Sequence, residues 1–213
     1  MKTACFILIG VFLGGCSGVY YDTMEKIGYA KREILADRIV EARKAQDKAK
    51  TQFADALHQF LAITQVQTGD LGKKYEKLNA EFKKSETRAA DVNDRIAKVE
   101  DVADALFKEW HNELKQYSDR NLREQSERQY EDTRQRYHDL LKTMKAAAKR
   151  MDPILAKFRD QVLFLKHNLN AQAVAGLSST AKGLEADVTK LISEMENSIS
   201  EADAFIRSMQ PAH

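Results

Sequence analysis

Proline and glycine are scarce in this chain, with 2 prolines and 9 glycines among 213 residues. A β-sandwich or barrel needs many tight turns, and an α/β fold needs one at each strand end, so the shortage excludes both. No sign of charge dominates either: 34 Lys+Arg stand against 32 Asp+Glu, a formal charge of +2. Proteins built to grip nucleic acid usually carry a basic excess, so no nucleic-acid partner is expected. Cysteine is confined to Cys5 and Cys16. Long hydrophobic runs are missing too. Residues Ala4 to Leu13 form an apolar run of ten, half of the roughly 20 that a membrane-spanning helix needs. With 43% hydrophobic and 31% charged residues, what remains is a mostly helical protein with a packed core.

The N-terminus reads as an address and is set aside from fold reasoning. Lys2 is a short positive region, the apolar run follows, and it ends in Leu13-Gly14-Gly15-Cys16. A hydrophobic residue three before a cysteine, then two small residues, resembles the bacterial lipobox. That resemblance implies acylation of the Cys16 thiol and cleavage just before it, with Leu13, Gly14 and Gly15 flanking the cut. Residues 1–15 are then a lipoprotein signal peptide, and residues 16–22 a lipidated N-terminus and short linker. Cys5 leaves with the signal, so the mature chain has no thiol for a disulfide, a nucleophile or a metal. Two or more acyl chains anchor stably where one is marginal. Ser17, rather than Asp, follows the cysteine, which resembles sorting to the outer membrane.

Heptad spacing dominates the rest. One seam runs Leu35, Ile39, Ala42, Gln46, Ala49, Phe53, Ala56, Phe60, Ile63, and a second from Leu71 through Phe82, Ser85, Val92 and Val99 to Trp110. A third runs from Tyr130 through Tyr137, Met144 and Met151 to Phe158 and Leu165, and a fourth from Leu177 through Val188 and Met195 to Met209. A 3.5-residue period implies supercoiled helices. The expected fold is all-α, an elongated antiparallel coiled-coil or four-helix bundle over residues 23–210. Thr68-Gly69-Asp70 predicts a tight turn between helices 1 and 2. The seam slips phase between Tyr117 and Leu122, where Ser118, Asp119 and Asn121 are all capping types and Asn121 with Glu124 resembles a capping box. The last turn is expected at Gly176 to Thr180. Pro153 predicts a kink within one long helix, because the seam keeps phase from Met151 to Ile154.

Catalytic signatures are absent. Gly69-Asp70-Leu71-Gly72-Lys73-Lys74 lacks the spacing of a phosphate-binding loop and reads as a turn. His58, His111, His138, His167 and His213 form no metal-binding helical pair, so no metal and no cofactor is expected. No serine lies in G-x-S-x-G. Lysines such as Lys44, Lys48, Lys73 and Lys77 alternate with acids, as on a solvated face with i,i+4 pairs. Trp110 sits on a seam and reads as core.

Four stretches carry a further resemblance: Tyr20-Tyr21-Asp22-Thr23-Met24-Glu25-Lys26-Ile27-Gly28, Ala105-Leu106-Phe107-Lys108-Glu109-Trp110, Met151-Asp152-Pro153-Ile154-Leu155, and Asp160 through Ala171. Together with the lipobox they resemble a family of bacterial lipoproteins, domain of unknown function 2959 (DUF2959). The resemblance covers almost the whole mature chain and implies a Gram-negative envelope protein. It brings no catalytic residue to carry over.

The expected function is a membrane-anchored envelope lipoprotein, not an enzyme, with a scaffold, spacer or adaptor role. It would hold the bilayer through acylated Cys16 and meet a protein partner in the envelope. The alternatives are a helical protein that binds or shapes the bilayer surface, and a small-ligand-binding bundle. One stretch breaks the seam pattern. Successive helix positions turn by about 100°, so Val162-Leu163-Phe164-Leu165 cannot lie on one seam. It is either wrapped by core on all sides or offers an apolar patch. In the second case Phe164, with Lys166, His167, Asn168 and Asn170 beside it, forms a partner interface.

Overall fold

The computed structural model describes residues 31–64, 71–168 and 170–209. Four helices follow in order: α1 (Lys31–Thr64), α2 (Leu71–Glu113), α3 (Arg120–His167) and α4 (Ala171–Met209). The longest, α3, has 48 residues, which is about 72 Å at 1.5 Å per residue. Each helix packs on two neighbours, in the ring α1–α2–α3–α4–α1.

Polar rungs show the direction of each pair. Between α1 and α2, Lys31 meets Glu109 at 3.0 Å, Glu41 meets Arg95 at 3.0 Å and Gln52 meets Glu81 at 2.7 Å. Numbers rise along one helix as they fall along the other, so the pair is antiparallel. Glu100 with Lys145 and Glu86 with Arg159 do the same for α2 and α3. Arg150 with Glu194 and Lys157 with Asp187 join α3 to α4, and Asp203 with Arg43 joins α4 to α1. The bundle therefore runs up, down, up, down. One end holds Thr64, Leu71, His167 and Ala171; the other holds Lys31, the α2–α3 turn and Met209.

The core is the set of seams. All nine positions of the first, Leu35 to Ile63, are buried, as is the third from Tyr137 to Leu165. Phe60 of α1 packs edge-on against Phe158 of α3 across the centre. Burial of these stripes, rather than helix propensity, holds helices of this length. The ion pairs along the rungs are partly exposed and each adds little.

Three boundaries refine the sequence reading. The α3–α4 turn is not at Gly176 to Thr180; α3 ends at His167 and α4 begins at Ala171. Asn168 closes α3, its side-chain amide donating to the Phe164 carbonyl at 3.0 Å and its backbone N–H to Leu165. Gly176 sits inside α4, because a mid-helix glycine costs about 1 kcal/mol and the extra helical turn buries Val174. The cap of α3 is Asp119, which accepts from the N–H groups of Asn121 and Leu122, while Glu124 pairs with Arg120. Helix α3 runs through Pro153 without a stop. Pro153 is exposed, so water can satisfy the carbonyl that its missing N–H leaves unpaired.

Candidate functional site

Leu13, Gly14, Gly15 and Cys16 lie outside the described residues, as do the Thr68-Gly69-Asp70 turn and His213. The other candidate segment is described, and it divides by helix geometry. Val162 and Leu165 are buried in the seam, whereas Leu163 and Phe164 are exposed at 50% and 43%. The run is thus half core and half surface. The Phe164 ring rests against Gly176 of α4, where a Cβ would sit 3.7 Å from the ring. The missing side chain leaves that ring face open. Lys166 and His167 are exposed in the last turn of α3. Asn168 is engaged as the cap, and the Asn170 carbonyl accepts from Val174 N–H at 3.3 Å in the first turn of α4. Phe164, Lys166 and His167 therefore remain as surface groups, while Asn168 and Asn170 help shape the turn. Next to them the Ser178 hydroxyl of α4 donates to the Val174 carbonyl at 3.0 Å and lies 3.3 Å from the Thr64 carbonyl at the end of α1.

The opposite end carries a second constellation. Phe107, Trp110 and His111 of α2 meet Tyr130 of α3, and Phe107 also meets Tyr137. Trp110 donates its indole N–H to the Ser126 hydroxyl at 2.9 Å, so it serves packing, as its seam position implies. Burial, with the negative charges of Asp104 and Glu100 nearby, pushes the Tyr137 phenol well above its ordinary range. Over this cluster lies a shallow groove of about 330 Å³, with Phe107, Tyr130 and Tyr137 in its lining and Lys108, Arg134 and His138 beside them. Beyond the cluster the chain turns. Leu114 is buried, but Tyr117 and Leu122 stand out at 42% and 53% exposure. Sequence reasoning marked this place as a phase slip with capping residues, but not as an exposed apolar pair. The available signal was that two large apolar residues flank the slip and belong to no seam.

Among the described residues, no group of three or more His, Cys, Asp or Glu side chains is placed to hold a metal ion. No helix there is long and apolar enough to cross a membrane. The exposed apolar side chains at the two ends are features that core packing does not explain.

No curated protein matches this sequence. Residues 20–209 match the family described as Protein of unknown function (DUF2959). That span takes in all four helices, from Lys31 to Met209, as well as the four stretches quoted above. The chain belongs to the DUF2959 family.

Proposed function

We propose that the protein is a non-enzymatic, lipid-anchored spacer or adaptor of the bacterial envelope. In this reading residues 1–15 are removed, Cys16 carries the acyl chains, and the bundle faces the periplasm. Ser17 after the cysteine favours the outer membrane over the inner one.

The observation that carries the adaptor role is the position of Leu163 and Phe164. They are exposed at the end of the bundle far from Lys31, where the chain arrives from Cys16. A helix of 48 residues separates the two ends by about 70 Å. Large apolar side chains clustered at a surface point mark interaction sites more often than isolated ones do. Lys166 and His167 beside them can fix the orientation of a protein partner by hydrogen bonds.

Two measurements test this. Intact mass of the detergent-extracted protein should show cleavage before Cys16 plus acyl chains; an unmodified Cys16 in a soluble fraction would refute the anchor. A photo-crosslinker at Leu163 should capture an envelope protein, and Phe164→Asp should abolish that crosslink with little change in melting, within about 0.5 kcal/mol for an exposed site. Capture that survives Phe164→Asp would remove the adaptor role from this patch.

A further inference from the structure

The exposed large hydrophobic side chains among the described residues are Tyr117, Leu122, Leu163 and Phe164. They form two pairs at opposite ends of the bundle. The Leu163–Phe164 pair belongs to the partner-facing end. The Tyr117–Leu122 pair lies at the end where α1 begins, because Lys31 Nζ sits 3.0 Å from Glu109 Oε2, one helical turn before the end of α2.

The turn between α2 and α3 holds these two side chains outward by specific bonds. The backbone N–H of Leu114 donates to the Trp110 carbonyl at 3.0 Å and the Leu114 side chain tucks into the core. The chain then reverses, and the Asp119 carboxylate accepts from the N–H groups of Asn121 and Leu122 at 2.8 and 3.1 Å. Tyr117 and Leu122 flank that capped reversal and face solvent. Lys115, Arg120 and Arg123 are exposed around them, against Glu113, Asp119 and Glu124. Charge near the turn is balanced, so an anionic surface would not be held by electrostatics alone; the contact this tip offers is apolar.

The occupant follows from the chain leading to α1. Fifteen residue steps separate Cys16 from Lys31, a reach of at most about 50 Å even when fully extended. A lipid on Cys16 therefore holds this end within about 50 Å of a bilayer, nearer than the other end of a bundle about 70 Å long. Tyrosine suits the headgroup level, where its ring is shielded and its hydroxyl stays wet. Lysine and arginine stems can lie along the boundary with their charges at the phosphates. We propose that the α2–α3 turn is a second membrane contact. Tyr117 and Leu122 enter the headgroup boundary of the bilayer that holds Cys16, and the bundle stands on this end with Leu163 and Phe164 held away from the lipid. Two side chains are too few to bind a membrane by themselves, but enough to orient a rod that is already anchored. The inference rests on the acyl anchor proposed above.

The test uses the full, acylated protein in vesicles of phosphatidylethanolamine and phosphatidylglycerol. Acylation consumes the Cys16 thiol, so a polarity-sensitive fluorophore can be placed at Leu122→Cys or, separately, at Leu163→Cys. Lipids carrying a quencher on the acyl chain should quench the probe at 122 severalfold more than the probe at 163. A probe at Ser118→Cys should lose its quenching in a Tyr117→Glu, Leu122→Glu background that still floats with the vesicles and still melts like the parent. Flotation without quenching at 122 would overturn the tip contact and leave the anchor standing. Equal quenching at 122 and 163 would mean a bundle lying flat, and would also overturn it. Failure to float at all would reject the anchor, and the tip contact with it.

Discussion

The Ser198 hydroxyl of α4 donates to the Gln46 side-chain oxygen of α1 at 3.0 Å, and both residues are fully buried. They interrupt two otherwise apolar seams at the same level of the bundle. The Gln46 side-chain nitrogen has no hydrogen-bond partner among the described residues. A half-satisfied buried amide costs stability, and a polar residue at one core position is the best-attested device for fixing helix register. Both statements can hold for Gln46 together.

Ser198→Ala removes the hydrogen bond to the Gln46 side chain and should lower stability by about 1–3 kcal/mol. For a chain of this size each kcal/mol lowers the melting temperature by roughly 2–4 °C. Gln46→Met combined with Ser198→Ala replaces both groups by apolar ones and should melt at or above the wild type. If register depends on the pair, the double variant will show mixed oligomers in sedimentation. A double variant that melts well below Ser198→Ala would show that the amide is satisfied after all.

Gly176 offers a gain. Among the described residues a Cβ there meets only the Phe164 ring, at 3.7 and 3.8 Å, which is ordinary contact. Gly176→Ala should therefore raise stability by about 0.5–1 kcal/mol through helix propensity. It should also cover part of the Phe164 ring. Thermal unfolding checks the first effect, and reduced crosslinking from Leu163 checks the second.

Tyr137 governs an alkaline limb. Its phenol pKa lies above the ordinary value of 10, chiefly because it is buried and secondarily because Asp104 and Glu100 are near. The folded state thus keeps a proton that the unfolded state releases first. The corresponding stability is fully present below about pH 10 and is lost as pH rises toward the folded value. Phenolate absorbance should show Tyr137 still protonated above pH 10, until the protein unfolds. Tyr137→Phe should flatten the pH dependence of melting above pH 10.

The shape itself is measurable. A rod about 72 Å long, as the 48-residue α3 requires, has a radius of gyration of about 22 Å. A globular chain of this length would give about 17 Å. Small-angle scattering on the protein freed of lipid distinguishes the two, and the smaller value would contradict the bundle.

What the linear pattern determined is the fold class and the core. A 3.5-residue apolar period can be buried in only one way, by helices turning those stripes toward one another. The seams from Leu35 to Ile63 and from Tyr137 to Leu165 were therefore legible position by position. Helix ends were legible only in part, because several residues can cap and local spacing cannot rank them. Asp119 rather than Asn121 became the cap, and Gly176 was absorbed into α4 because burying Val174 outweighs a mid-helix glycine. Only the tertiary structure decided how Val162 to Leu165 divides between core and surface, since that depends on which sides of α3 its neighbours cover. It also decided that Tyr117 and Leu122 lie at one end of the bundle and Leu163 and Phe164 at the other. Sequence order says nothing of this, because in an up-down bundle residues far apart in the chain share an end while neighbours along one helix lie tens of ångströms apart.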